Sequence, residues 1–218
     1  GRSMRTVALT GFALITACTA AASGGDTVEA PPPADGLAVA TFAGGCFWCM
    51  EPPFDAVEGV KETLSGYTGG SEASPSYKAV AYGRTGHREA VRVVYDPQVV
   101  TYAELLEVFW RNIDPTDVGG QFVDRGPQYA PGIFVHDDAQ RAAAEASKKA
   151  LSASGRFDEP IVVPILESST FWVAEDDHQN FYEKDPGHYK RYRRGSGRDA
   201  FIQRHWSAPP TEPAKSSE

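Results

Sequence analysis

Hydrophobic and polar positions alternate in short blocks along the middle of the chain, and the blocks differ in period. "LAVATFAG", ending at Gly44, is a continuous apolar run of strand length closed by glycine, and a helix is expected to begin near Phe47, with Pro52 and Pro53 interrupting its early turns. "VKETLSGYTGG" reads as a strand and a turn, "SPSYKAVAYG" as a short helix closed by Gly83, and "EAVRVVYD" as a strand rich in β-branched residues. "TYAELLEVFWRN" has helical periodicity, with Leu105, Val108 and Phe109 on one face and a capping box between Thr101 and Glu104. "YAPGIFVH" is a strand candidate. "DDAQRAAAEASKKALSASG" is the clearest helix, with Asp137 or Asp138 at its start and Gly155 past its end. "IVVPILES" is a strand whose Pro164 favours an edge or a bulge. Strands and helices alternate with short crossovers, which predicts an α+β fold in which one mixed sheet is covered by helices. Any site would then lie at the turn from the first strand into the first helix.

Composition narrows the function classes. The 218 residues suit one globular domain with tails, and 21 basic against 29 acidic residues give a net charge of −8, which argues against a nucleic-acid partner. The basic cluster "KRYRRGSGR", Lys190 to Arg198, reads as a solvated surface face. From Met4, "MRTVALTGFALITAC" has a basic start and an apolar run too short to span a bilayer comfortably. It resembles the bacterial lipoprotein signal, matched at Ile15, Thr16, Ala17 and Cys18, which implies cleavage before Cys18 and lipidation of its thiol. An ordinary secretory signal is the alternative, and both readings export the protein. The expected organisation is a signal at 1–18, a tether at 19–36 poor in large apolar residues, a domain at 37–206 and a disordered tail at 207–218.

The chemistry concentrates in "GGCFWC", where Cys46 and Cys49 flank Phe47 and Trp48. A zinc site needs two further ligands, usually at tight spacing, and His87, His136, His178, His188 and His205 offer no such pair, so no metal is expected. A structural disulfide suits an exported protein, although a bridge across so short a loop removes little unfolded-state entropy. A redox pair gives each neighbour a role. Gly44 and Gly45 permit close approach of another molecule, the helix N-terminus favours a thiolate at Cys46, and Cys49, nearly one turn on, can attack whatever Cys46 becomes. Phe47 and Trp48 read either as core or as an apolar wall for a substrate. A thioredoxin-like dithiol oxidoreductase and a non-enzymatic lipoprotein interaction module with a structural disulfide both remain open on these residues.

"GGCFWC" together with "GYTGG", "GHREAVRVVYDP", "FWRNIDPTD", "DRGPQY" and "AEDDHQNFY" resembles the A-type peptide methionine sulfoxide reductases over about residues 38–206. The resemblance implies a ferredoxin-like two-layer core and thiol-dependent reduction of methionine (S)-sulfoxide, free or in proteins. It implies no metal or bound cofactor and an external dithiol reductant such as a thioredoxin-like protein. By position it makes Cys46 the nucleophile, Phe47 and Trp48 the pocket for the methyl group, Glu89 the acid that protonates the departing oxygen, Tyr77 and Tyr129 the hydroxyls that bind that oxygen, and Asp124 the acidic residue beside the pocket. Taken alone, Glu89 is a strand-end carboxylate and each tyrosine an edge aromatic. A protonated carboxylic acid and two neutral donors are nevertheless what a poor oxygen leaving group requires. Many relatives carry a second resolving cysteine where this chain has Ser196, and their "QYRS" is "QYAP" here, with Ala130 and Pro131. With Cys18 lipidated or removed, Cys49 is the one intramolecular resolving thiol left, the alternative being direct attack of the reductant on the sulfenic acid. The expected setting is a membrane-anchored lipoprotein facing the periplasm or cell exterior, repairing oxidised envelope proteins without contact to nucleic acid.

Overall fold

The computed structural model describes residues 27–207. The expected signal with Cys18, the first part of the expected tether and the tail from residue 208 lie outside the described residues. The apolar run becomes strand β2, Ala38–Ala43, and leads through Gly44 and Gly45 into helix α1, Phe47–Asp55. Strand β3, Val60–Thr68, helix α2, Tyr77–Ala81, and strand β4, Arg88–Tyr95, follow. Helix α3, Tyr102–Arg111, carries the anticipated capping box: Glu104 N–H donates to Thr101 Oγ1 at 3.2 Å and Thr101 N–H donates to Glu104 Oε2 at 2.7 Å. A two-residue hairpin, β5 Gly120–Gln121 and β6 Asp124–Arg125, precedes strand β7, Gly132–Val135. Helix α4, Asp138–Ala153, is capped by Asp137, whose carboxylate accepts from Gln140 N–H at 2.7 Å. Strand β8, Ile165–Glu167, starts immediately after Pro164 and lies at the sheet edge, where the missing proline N–H costs no ladder bond.

These strands and two short ones, β1 Val28–Glu29 and β9 Trp172–Val173, form one sheet in the order β1-β9-β3-β4-β2-β7-β8. All neighbours are antiparallel except β7 and β8, so the sheet is mixed and the protein is α+β, as the pattern predicts. One face of the sheet presents Ala40, Phe42, Val91, Val93, Ile133 and Val135 to helices α1, α3 and α4. Phe42 stacks on Phe54 and Phe109 with ring centroids 5.2 and 5.1 Å apart, tying β2 to α1 and α3. A smaller cluster of Ala43, Ala90, Phe134 and Phe171 occupies the other face. Among the described residues no helix is long and apolar enough to cross a membrane.

One expectation is corrected. The stretch read as a tether is partly sheet: β1 pairs with β9, Ala30 N–H donates to the Phe171 carbonyl at 2.8 Å, and Arg92 Nη2 donates to the Pro31 carbonyl at 2.7 Å. Large apolar side chains are not needed there, because β9 offers unpaired backbone groups that another strand can satisfy. Pro52 and Pro53 lie inside α1 without ending it. The chain also continues into three helices that the hydrophobic pattern does not reveal: α5 Phe181–Lys184, α6 Pro186–Ser196 and α7 Arg198–Trp206. Their signals are at the termini, since Asp185 caps α6 ahead of a proline at its first position, and Gly197 ends it at φ +86°.

Candidate active site

The glycine turn between β2 and α1 is shaped by the protein's own core. A Cβ at Gly44 would lie 2.6 Å from Met50 Sδ, and one at Gly45, where φ is +82°, would lie 2.6 Å from Gln121 Cβ. The two glycines therefore admit Met50 and Gln121 rather than an incoming molecule, which corrects the expected role. Cys46 sits at the N-cap of α1 and is 7% exposed; Cys49 is fully buried, and its N–H donates to the Cys46 carbonyl at 3.0 Å.

The two thiols are neighbours, and both are free. Burial pushes the Cys46 thiol well up, reinforced by the neighbouring Cys49 thiol and by the Glu89 carboxyl, while the Tyr192 hydroxyl opposes the rise. Cys49 is lowered to about 7, first by the neighbouring Cys46 thiol and then, against burial, by the charges of Arg198 and Arg193. The amide that opens α1 is not given to Cys46: the Phe47 N–H donates to Glu89 Oε2 at 3.1 Å, so the helix N-terminus meets the Glu89 carboxyl, and within the pair Cys46 is shifted up and Cys49 down.

Glu89 begins the buried part of β4, in register with Tyr67 on β3, and is 2% exposed. Burial is the main cause that raises its carboxyl to about 8; the Phe47 amide partly offsets this, and the charges of Asp124 and Cys49 add to it. At neutral pH it holds a proton. Tyr77 opens α2, with its N–H on Glu175 Oε1 at 2.8 Å, and its hydroxyl is raised to about 12 by burial and then by Glu89 and Cys46. Tyr129 ends the turn Pro127–Tyr129 and is raised by burial, Glu89, Tyr77 and Cys46. Both phenols therefore remain neutral donors. Asp124, on β6, accepts a short hydrogen bond from Tyr192, and burial raises its carboxyl.

The two aromatic residues between the cysteines divide their tasks. Phe47 is core, 1% exposed, beside Tyr67, Tyr77 and His178 at centroid separations of 5.9, 6.5 and 5.4 Å. Trp48 is half-buried: it stacks on Phe181 at 3.8 Å, meets Tyr192 edge-on at 5.8 Å, and donates from Nε1 to His178 Nδ1 at 3.2 Å. The structure thus brings Cys46, Cys49, Phe47, Trp48, Glu89, Tyr77, Tyr129 and Asp124 into one neighbourhood. Ser196 stands apart in role, accepting from Arg198 N–H at 3.2 Å and donating to the Arg193 carbonyl at 2.7 Å as a turn pin.

Sequence reasoning misses Tyr192, His178 and Glu175, although the last two lie in the quoted "AEDDHQNFY". It also misreads part of the basic cluster. Lys190, Arg191 and Arg194 are exposed as expected, but Arg198 is 1% exposed, with Nη2 on the Gly44 carbonyl at 3.0 Å and Nη1 on Met50 Sδ at 3.4 Å. Arg193 reaches the Cys49 carbonyl at 3.0 Å. Only the return of α6 and α7 onto α1 distinguishes these two arginines from solvated ones. Among the described residues no group of three or more histidine, cysteine or acidic side chains is placed to hold a metal. A groove of about 660 Å³ between α3 and α4, lined by Trp110, Ala146 and Trp206 among others, contains none of the site residues.

Residues 38–210 match the family described as "Peptide methionine sulfoxide reductase". A "Peptide methionine sulfoxide reductase MsrA" of Bacillus subtilis (strain 168) is 55% identical over 170 residues, 78% of this chain and 96% of that protein. One of the same description from Listeria innocua serovar 6a is 54% identical over 172 residues, 79% of this chain and 97% of that one. Among solved structures, Mxr1 of Saccharomyces cerevisiae in reduced form superposes with a TM-score of 0.67 at 31% identity, covering 72% of this chain and 90% of that one. Methionine sulfoxide reductase A of Corynebacterium diphtheriae gives 0.59 at 30% identity, covering 74% and 89%.

Proposed function

The chain belongs to the peptide methionine sulfoxide reductase family and is an oxidoreductase that reduces methionine sulfoxide, and we propose that it does so on the S epimer with Cys46 as nucleophile, Glu89 as acid and Cys49 as resolving thiol. The observation that carries the assignment is Glu89: a buried carboxyl that keeps its proton to about pH 8, with one oxygen held by the amide that follows Cys46. As the sulfoxide docks, its oxygen lies among the hydroxyls of Tyr77 and Tyr129 and the Glu89 proton, and its methyl group against Trp48. Cys46 gives up its thiol proton, with the neighbouring Cys49 as the base, and its sulfur becomes the attacking thiolate. Cys46 attacks, Glu89 delivers its proton to the oxygen, the oxygen is transferred to Cys46 as a sulfenic acid, and methionine leaves. Cys49 then displaces that oxygen as water, and an external dithiol of thioredoxin-like chemistry reduces the resulting disulfide.

The strand order supports a ferredoxin-like core: with α2 and the β5–β6 hairpin set aside as insertions, β2, α1, β3, β4, α3 and β7 occur in the order βαββαβ, with the strands arranged β7-β2-β4-β3. Export and lipid anchoring at Cys18 is proposed from the segment Met4 to Cys18 alone, with oxidised envelope proteins as the substrates. Partitioning of the native protein into detergent, lost on C18S, is the expected result.

Replacement of Cys46 by serine should abolish consumption of methionine (S)-sulfoxide with dithiothreitol, and mass spectrometry after a single turnover should find a Cys46–Cys49 disulfide. Turnover retained by C46S would overturn the nucleophile, and a persistent sulfenic acid would remove Cys49 from the cycle. Reduction of insulin disulfides at a comparable rate would favour a general dithiol oxidoreductase instead.

A further inference from the structure

Helix α1 carries Pro53 four residues after Cys49, and proline has no N–H to give the Cys49 carbonyl its helical hydrogen bond. The resolving thiol therefore sits on a turn that the backbone leaves open. A side chain from a distant helix closes it: Arg193 of α6 donates from Nη1 to the Cys49 carbonyl at 3.0 Å. Arg193 is itself held, with Nε on Asp199 Oδ1 at 2.7 Å and Nη1 also on the Tyr189 hydroxyl at 3.3 Å, and its side chain is only 15% exposed. The other groups bearing on the Cys49 sulfur are Cys46, Arg198 and Asp124, and Cys49 in turn acts on Glu89 and Tyr189.

We propose that Arg193 is a positioning residue for the resolving step, replacing the hydrogen bond that Pro53 removes and so holding Cys49 in line with Cys46. The inference rests on the reading of Cys49 given above. In that step Cys49 gives up its proton and its sulfur attacks the sulfur of the Cys46 sulfenic acid; an S–S bond forms as the S–O bond breaks, and the oxygen leaves as water with the sulfenic acid's own proton and the one Cys49 gave up. The Cys49 sulfur is oxidised and the Cys46 sulfur reduced. Disulfide geometry is narrow, so a turn free to fray presents the attacking sulfur less often in line. The guanidinium beside Cys49 also favours its thiolate, the form that attacks.

The test uses the reduced full-length protein and one equivalent of methionine (S)-sulfoxide without reductant, quenched over time. Released methionine and the Cys46–Cys49 disulfide are measured in the same samples. R193Q should slow disulfide formation relative to methionine release by roughly tenfold or more, with the Cys46 sulfenic acid trapped by dimedone in the interval. P53A supplies the missing N–H, so R193Q/P53A should recover disulfide formation to within about threefold of P53A alone. The pH profile of Cys49 alkylation should move upward in R193Q and stay there in the double variant, because the second substitution restores the hydrogen bond and not the charge. Methionine release in each variant shows that the site is folded. Equal disulfide rates in R193Q and the parent protein would overturn the inference, as would failure of P53A to rescue. No disulfide in the parent protein would instead overturn the reading of Cys49, and this inference with it.

Discussion

Replacing Glu89 by glutamine should make the protein more stable as it makes the enzyme inactive. Glu89 is 2% exposed, and its carboxyl is raised from an ordinary 4.5 to about 8, chiefly by burial. Below pH 4.5 the folded and unfolded chains both hold the proton. Between 4.5 and 8 the unfolded chain releases it and the folded chain does not, so the unfolded state binds fewer protons and stability falls as pH rises. The fall is about 1.4 kcal/mol per pH unit, reaching about 3 kcal/mol at pH 7 and about 5 kcal/mol above pH 8. Glutamine carries no such dependence, and its carbonyl can still accept the Phe47 N–H. The contribution of Glu51, whose carboxyl is raised to about 7 mainly by burial, is present in both proteins and cancels. Urea unfolding of both proteins at pH 5 and pH 8 isolates the effect, because any fixed packing difference drops out of the comparison. E89Q should gain about 3–4 kcal/mol on the parent protein between those two values, with turnover of the sulfoxide lost throughout. A relative gain under about 1 kcal/mol would refute the argument, since it would mean that the carboxyl ionises in the fold nearly as it does in water.

Tyr77→Phe and Tyr129→Phe should each lower kcat/KM roughly 10- to 100-fold, and the double variant more than either, because each removes one neutral donor to the sulfoxide oxygen. Steady-state rates on the S epimer check this, and a double variant near the parent rate would exclude the phenols. Arg198→Met keeps most of the side-chain volume but leaves the Gly44 and Asn112 carbonyls without their donor, so denaturant unfolding should show a loss of about 2–4 kcal/mol. A loss below about 0.5 kcal/mol would mean that water replaces the guanidinium.

Where a residue's task depends on its neighbours in the chain, the sequence is sufficient. The capping box of α3, the Asp137 cap of α4 and the position of Pro164 before an edge strand follow from bonds made within four residues or from a missing N–H. The reactive pair at the strand-to-helix turn is equally local. Glu89, Tyr77, Tyr129 and Asp124 are legible only through a whole set of motifs, because a carboxylate or a phenol in isolation carries no sign of what the fold brings beside it. The strand at Val28–Glu29 escapes the hydrophobic pattern because main-chain pairing holds it.

Charge state and burial belong to the tertiary structure. The helix N-terminus at Cys46 suggests a thiolate there, yet the fold gives the first amide to Glu89 and sets two arginines by Cys49, which shifts Cys46 up and Cys49 down. "KRYRRGSGR" has the composition of a solvated face, and its exposed members are one. Arg193 and Arg198 differ from them only because α6 and α7 fold back over α1, where two carbonyls lack a backbone donor. The amino-acid sequence alone determined the longer elements from β2 to α4 and the pairing of two thiols at one strand-to-helix turn. Which residue carries the proton and which the charge was decided by packing, because desolvation and electrostatic pairing depend on groups far apart along the chain, 42 residues for Glu89 and Phe47 and 144 for Arg193 and Cys49.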